Sequence, residues 1–114
     1  MSPFSKNFTT GDVISVAWFP HEEDKTQGEA RWLICLEDLQ DEFIAIPLKS
    51  TTNHLKDQPN SFIIQKDSEE GKRMNLLNDS LVVPGRAIQR RKVKASIEGH
   101  CSVDLIDKLN ELIK

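Results

Sequence analysis

The sequence has no tyrosine, only two cysteines and five glycines, and no long apolar stretch. Each scarcity closes off a class of explanation. The longest apolar runs, WLICL and FIAIPL, are of strand length, well short of the roughly 20 residues that cross a bilayer as a helix. No membrane association is expected. The opening segment MSPFSKNFTTGD lacks both the basic stretch and the apolar core of a secretory signal, so the expected location is cytoplasmic. Cys35 and Cys101 lie far apart and outside any CxxC or Cys/His spacing, and they read as reduced thiols rather than a disulfide or a metal site. Cys35 lies inside an apolar run, where a free thiol behaves as a small hydrophobe. Gly-rich phosphate loops, HExxH and GxSxG are also missing. No metal and no cofactor is expected.

Charge of one sign is not in large excess. Fifteen basic and 18 acidic residues leave a formal net charge of −3, so any attraction to a polyanion has to come from local clustering. One such cluster is RAIQRRKVK, which carries Arg86, Arg90, Arg91, Lys92 and Lys94 without an acid. It reads equally well as a phosphate-binding stretch or as a charged, solvated edge strand. The acids Glu37, Asp38, Asp41 and Glu42 fit no cation-loop spacing and read as a solvated hairpin tip.

What is present is one domain's worth of short strands. With 114 residues and 38% hydrophobic content the chain supports a single core, with residues 1–9 expected as a loose N-terminal arm. DVISVAWF, between Gly11 and Pro20, is rich in β-branched and aromatic residues and predicts a first strand. The polar segment HEEDKTQGEA then reads as a long exposed loop. RWLICLE and EFIAIPL predict a hairpin, SFIIQ a fourth strand, KDSEEGK a turn, and Leu76 to Val83 a short apolar run ending at Pro84-Gly85. A last, basic strand is expected over Ala87 to Val93. Strands and turns without βαβ alternation argue for a small antiparallel barrel or sandwich.

The period then changes. Leu105, Ile106, Leu109, Leu112 and Ile113 follow helical spacing with one apolar face, which predicts a C-terminal amphipathic helix over 102–114. Ser102 is placed to cap it, and Asp104 and Lys114 suit the helix dipole at either end.

The order GDVISVAWFP, QGEAR-WLICL, AIPLKST, LVVPGRAI and terminal helix resembles the MazF/PemK family, from about Thr10 to Ile113. Those proteins are small toxins of bacterial toxin-antitoxin pairs. The resemblance implies a mainly β fold, an SH3-like antiparallel barrel with helices. It further implies a homodimer that cuts single-stranded RNA without a metal and is held in check by a cognate antitoxin protein.

Residue by residue, Gly11, Asp12 and Pro20 match the family's opening strand. Gln27, Gly28 and Arg31 match its loop pattern, with one extra residue after the glycine and Trp32 in place of a proline. Arg31 thereby takes the slot of the catalytic arginine. In Pro47-Leu48-Lys49-Ser50-Thr51, Lys49 occupies the position of a phosphate-holding threonine, which leaves Ser50 or Thr51 to supply the hydroxyl. Arg86 of PGRAI matches a second arginine, while Val83 stands near where many members carry an acid. The implied catalytic set is Arg31, Ser50 and Thr51, with His21 as the nearest base. The implied substrate contacts are Lys49, Gln27, Arg86, Arg90 and Arg91. A surface arginine paired with Glu22 or Glu29 is the competing reading of Arg31. A binding module on the same fold, such as the gyrase-poisoning CcdB type, is the competing reading of the whole.

Overall fold

The computed structural model describes residues 7–20, 28–51, 57–92 and 95–113. Its strands are β1 (Asp12–Pro20), β2 (Gly28–Asp38), β3 (Glu42–Ser50), β4 (Phe62–Ile64), β5 (Ser80–Val82), β6 (Ile88–Arg91) and β7 (Ala95–His100). Its helices are α1 (Glu69–Arg73) and α2 (Val103–Ile113). All pairings are antiparallel, in the order β4-β5-β3-β2-β1-β7, with β6 also on β3. The protein is therefore mainly β, an open seven-stranded sheet followed by a C-terminal helix.

The three central strands read as nearly continuous apolar runs because both of their faces are buried. Register sets Val13 beside Ile34 and Ile34 beside Ile46 on one face. There they join Leu48, Ile64, Met74 and Val82 beneath Leu105 and Leu109 of α2. One residue along, Ile14 pairs with Leu33, and with Cys35, Phe43, Ala45 and Ala95 they form a second cluster on the other face. Side chains alternate across a strand. A strand buried on both faces therefore has no polar stripe.

The outer edge of β3 is divided between two partners. Glu42 to Ala45 pair with β6, and Leu48 to Ser50 pair with β5. Pro47 falls between the two ladders, where its missing N–H costs no bond on that edge. A 3-10 turn, Pro84–Arg86, bridges β5 and β6 at this switch and touches α2.

Helix α2 begins as its sequence predicts. The Ser102 hydroxyl accepts the Leu105 N–H at 3.1 Å and donates to the Glu70 carboxylate, which also takes the Ser102 N–H at 2.8 Å. Glu70 belongs to α1, so the short helix is fastened to the start of the long one. Leu105 and Leu109 are buried, Leu112 is half-buried, and the Lys108 ammonium lies 3.9 Å from the centre of the Phe62 ring. Among the described residues no helix is long and apolar enough to cross a membrane.

Four elements depart from the sequence expectation. Strand β2 starts at Gly28, so the end of the expected loop, Gly28 to Ala30, is ladder. The expected turn KDSEEGK contains α1, whose N-terminus is capped by the Ser68 hydroxyl accepting from Gly71 N–H at 3.0 Å. Strand β7 was not foreseen, because a register shift between Val13 and Ile14 and the exposure of Ile97 disturb its alternation.

The hairpin tip is the fourth. Asp38 is no solvated acid: it receives Lys92 Nζ at 2.9 Å on both oxygens, and the N–H groups of Gln40 and Phe8. Lys92 is only 4% exposed and also lies 4.8 Å from the Phe8 ring. Of the expected N-terminal arm, residues 1–6 lie outside the described residues. Phe8 is buried edge-on against Phe43, with ring centres 5.1 Å apart.

Candidate functional site

The β2–β3 ladder brings the start of β2 beside the end of β3. Leu33 faces Pro47 at the last pair of the ladder, and Arg31 and Lys49 each lie two residues beyond it. Arg31 Nη1 reaches the Leu48 carbonyl at 3.4 Å, which holds the guanidinium at the strand end. Beyond it the chain leaves β3 through Ser50 and Thr51.

A third wall comes from the segment between α1 and β5. Asn75, at φ 59°, turns the chain out of the helix, and Leu76 N–H closes the end onto the Gly71 carbonyl at 3.0 Å. Residues 76–79 then run toward Ser80, which pairs with Ser50. Lys66 N–H donates to Asp79 Oδ1 at 2.9 Å and fixes that carboxylate in place.

These three walls enclose an open cleft of about 550 Å³. Arg31 and Lys49 supply positive charge, and Ser50, Thr51 and Ser80 supply hydroxyls. Trp32, Leu76 and Leu77 make its apolar side, and Asn78 and Asp79 add an amide and a carboxylate. Two cations with several hydroxyl donors suit an anionic oxygen cluster such as a phosphodiester. An aromatic ring and an exposed leucine beside them suit a flat, unstacked base.

Four residues singled out from the sequence, Arg31, Lys49, Ser50 and Thr51, therefore share one cleft. His21 and Gln27 lie outside the described residues. Arg86 is exposed at the end of the 3-10 turn and does not line the cleft. Arg90 and Arg91 pair opposite Phe43 and Glu42, at the far end of β3. Six residues of strand separate Phe43 from Lys49, or about 20 Å. The basic stretch also divides within itself. Lys92 is turned inward onto Asp38, Arg90 is half-buried with its guanidinium pulled below its usual pKa by desolvation, and Arg91 is exposed.

Trp32, Leu77, Asn78, Asp79 and Ser80 were not singled out from the sequence. One signal was available: the polar triplet Asn78-Asp79-Ser80 interrupts the apolar run and marks where it leaves the core. Elsewhere, His100 Nδ1 meets Asp12 Oδ1 at 2.7 Å at the edge of β7. The neighbouring Cys101 thiol is buried beside Leu105 and is pushed up to about 12 by burial, with Glu70 and Asp12 adding to the effect. Adjacency in sequence thus makes no thiolate–imidazole pair. Among the described residues no group of three or more His, Cys, Asp or Glu is placed to hold a metal ion.

The chain matches no known protein family and no curated protein. Its chemistry has to be read from the cleft itself.

Proposed function

We propose that the cleft binds a phosphodiester of single-stranded RNA and that the protein is a MazF/PemK-like endoribonuclease toxin. The observation that carries this reading is the convergence of Arg31, Lys49, Ser50 and Thr51 from two strand ends into one cleft. In the proposed reaction a ribose 2′-hydroxyl attacks the adjacent phosphorus, the bond to the 5′-oxygen breaks, and a 2′,3′-cyclic phosphate and a 5′-hydroxyl result. Charge accumulates on the non-bridging oxygens in the transition state. Arg31 and Lys49 offset it, and Ser50 or Thr51 donates a hydrogen bond to the same oxygens. His21 is the base proposed from the sequence to take the 2′-hydroxyl proton, and the 5′-oxygen leaves with a proton.

The strand connections support an SH3-like barrel. Strands β6 and β7 pair with opposite edges of the β1–β2–β3 unit. In a flat sheet they would lie four strand spacings, or about 19 Å, apart. Arg91 and Ala95 are four residues apart in sequence, a span of at most about 14 Å. A curled sheet resolves the mismatch and makes the cluster around Leu33 and Phe43 the barrel interior. In this reading the toxin acts as a homodimer in the cytoplasm and is neutralised by an antitoxin protein.

Val83 favours a second reading, a binding module that does not cut. It is buried against Leu81, so core fills a place near which the family carries an acid. Incubating a long RNA with the protein in chelator decides between them. Cleavage leaving cyclic phosphate ends, slowed about 100-fold or more by Arg31→Ala, supports the nuclease. Intact RNA together with growth arrest on expression supports the binding module.

A further inference from the structure

Resting on the reading of the cleft as an RNA site, we infer that its second half is a base pocket selective for guanine, formed by Trp32, Leu77 and Asp79. Leu77 is 71% exposed, the second most exposed large hydrophobic among the described residues. It lines the same cleft as Trp32, whose half-buried ring packs against the core. A large apolar side chain kept out of the core, in a cleft that an aromatic residue also lines, is suited to holding a flat partner, and nucleic-acid bases stack on such surfaces without regard to their identity. The pair therefore contributes affinity. It does not contribute choice.

Choice comes from the polar group at the pocket. Among the described residues Asp79 is the one carboxylate that lines the cleft, and an ionised carboxylate is an acceptor with no hydrogen to give. Among the four bases only guanine presents two adjacent donors, N1–H and N2–H, on its Watson–Crick edge. Uracil offers one donor between two carbonyl oxygens, and adenine and cytosine offer one amino group beside a ring acceptor that repels the carboxylate. The Lys66 N–H already holds Asp79 Oδ1, so the carboxylate is oriented before the base arrives and loses little freedom on binding. Arg31 and Lys49 line the same cleft, and in this reading they hold the phosphate of the selected nucleotide.

The test uses four 2′-O-methyl tetranucleotides, which cannot be cleaved, each with one of the four bases flanked by abasic linkers. Binding is read by quenching of Trp32 fluorescence in a Trp18→Phe background. Guanine is expected to bind about tenfold more tightly than the others, within the range of a good bidentate base contact. Asp79→Asn, which keeps an oxygen for the Lys66 N–H, is expected to lose the guanine preference, because an amide has one donor and one acceptor and matches the amino group and ring acceptor of adenine and cytosine alike. Leu77→Ala is expected to weaken all four about fivefold without changing their order.

Equal affinity for the four bases, weakened by Arg31→Ala, overturns the guanine pocket and leaves the phosphate site standing. Absence of binding by any tetranucleotide overturns both. If Asp79→Asn stops RNA cleavage while the base preference stays with guanine, Asp79 handles a proton rather than a base, and the inference falls.

Discussion

Lys92 is the residue whose sequence context misleads most. In RAIQRRKVK it looks like one more solvated cation, yet it is buried and held by Asp38, whose side chain keeps 19% exposure. Removing one partner of a covered ion pair strands the other, so Lys92→Met is expected to lower stability by about 3 kcal/mol in denaturant unfolding. Burial pushes the Asp38 carboxyl up, but the Lys92 hydrogen bond, the N–H groups of Gln40 and Phe8 and the Lys92 charge together hold it below the ordinary value. The unfolded chain therefore takes up this proton first as pH falls. The stabilisation is complete above an ordinary aspartate pKa of about 4 and drains away as pH drops through the lower folded value. The fall in Tm between pH 5 and pH 2 is accordingly expected to be shallower for Asp38→Asn than for the natural protein.

The two thiols illustrate the opposite case, in which the sequence reading needs no correction. Cys35 is fully buried, and burial, with Asp12 and Asp38 adding to it, pushes its thiol to about 11. Neither Cys35 nor Cys101 is expected to react with a thiol reagent at pH 8 in the native protein, while both react in denaturant. Arg31, Lys49, Ser50 and Thr51 were singled out by the family resemblance, and the apolar pattern of β2 and β3 fixes only their place near the strand ends. Asp79 was not, because its place beside them depends on pairing between Ser50 and Ser80, 30 residues apart.

At the scale of elements, legibility followed periodicity. Strands β1 and β3 and helix α2 have long, strong patterns and appear where the sequence puts them, and β2 differs mainly in starting three residues early, at Gly28. Helix α1 has five residues and only one of them buried, so nothing in its pattern marks it. It depends on the Ser68 cap and the Glu70–Ser102 contact. Strand β7 is hidden by its own bulge and by Gly99, which is buried where a longer side chain is expected. A Cβ on Gly99 would lie 2.5 Å from the Met74 carbonyl oxygen and 2.6 Å from its carbon, both backbone atoms that cannot swing away. Gly99→Ala is therefore expected to lower stability by about 2 kcal/mol by forcing β7 and α1 apart, measurable as a lower Tm with an unchanged far-UV spectrum below the transition.

For the whole molecule, cations are separated along β3, and in the proposed reading that separation governs how RNA is held. A net charge of −3 gives no general attraction, and the cations of β6 stand a strand's length from the cleft. Arg91→Ala is expected to weaken RNA binding severalfold and to reduce the salt dependence of affinity by one phosphate's worth, a log–log slope change of about 0.7. Cleavage of bound RNA is expected to be unchanged. Arg31→Ala, in contrast, is expected to act on the cleavage step, so single-turnover rates at saturating protein separate the two. The order of the sheet could not be read from the sequence. The division of β3's edge between β6 and β5 joins segments that are distant in the chain, and no local pattern records such a pairing.

The division of that edge at Pro47 has a further implication. Strands β1, β2, β3 and β6 would make a continuous meander, with β7 returning to β1, if the chain passed directly from β3 to β6. Everything between Thr51 and Arg86, including α1 and β5, is an excursion added at one corner. The meander supplies Arg31, Lys49, Ser50 and Thr51, and the excursion supplies Leu77, Asn78, Asp79 and Ser80. One piece would act on the RNA backbone and the other would choose the sequence, so a related chain with a different excursion could change its target while keeping the same reaction.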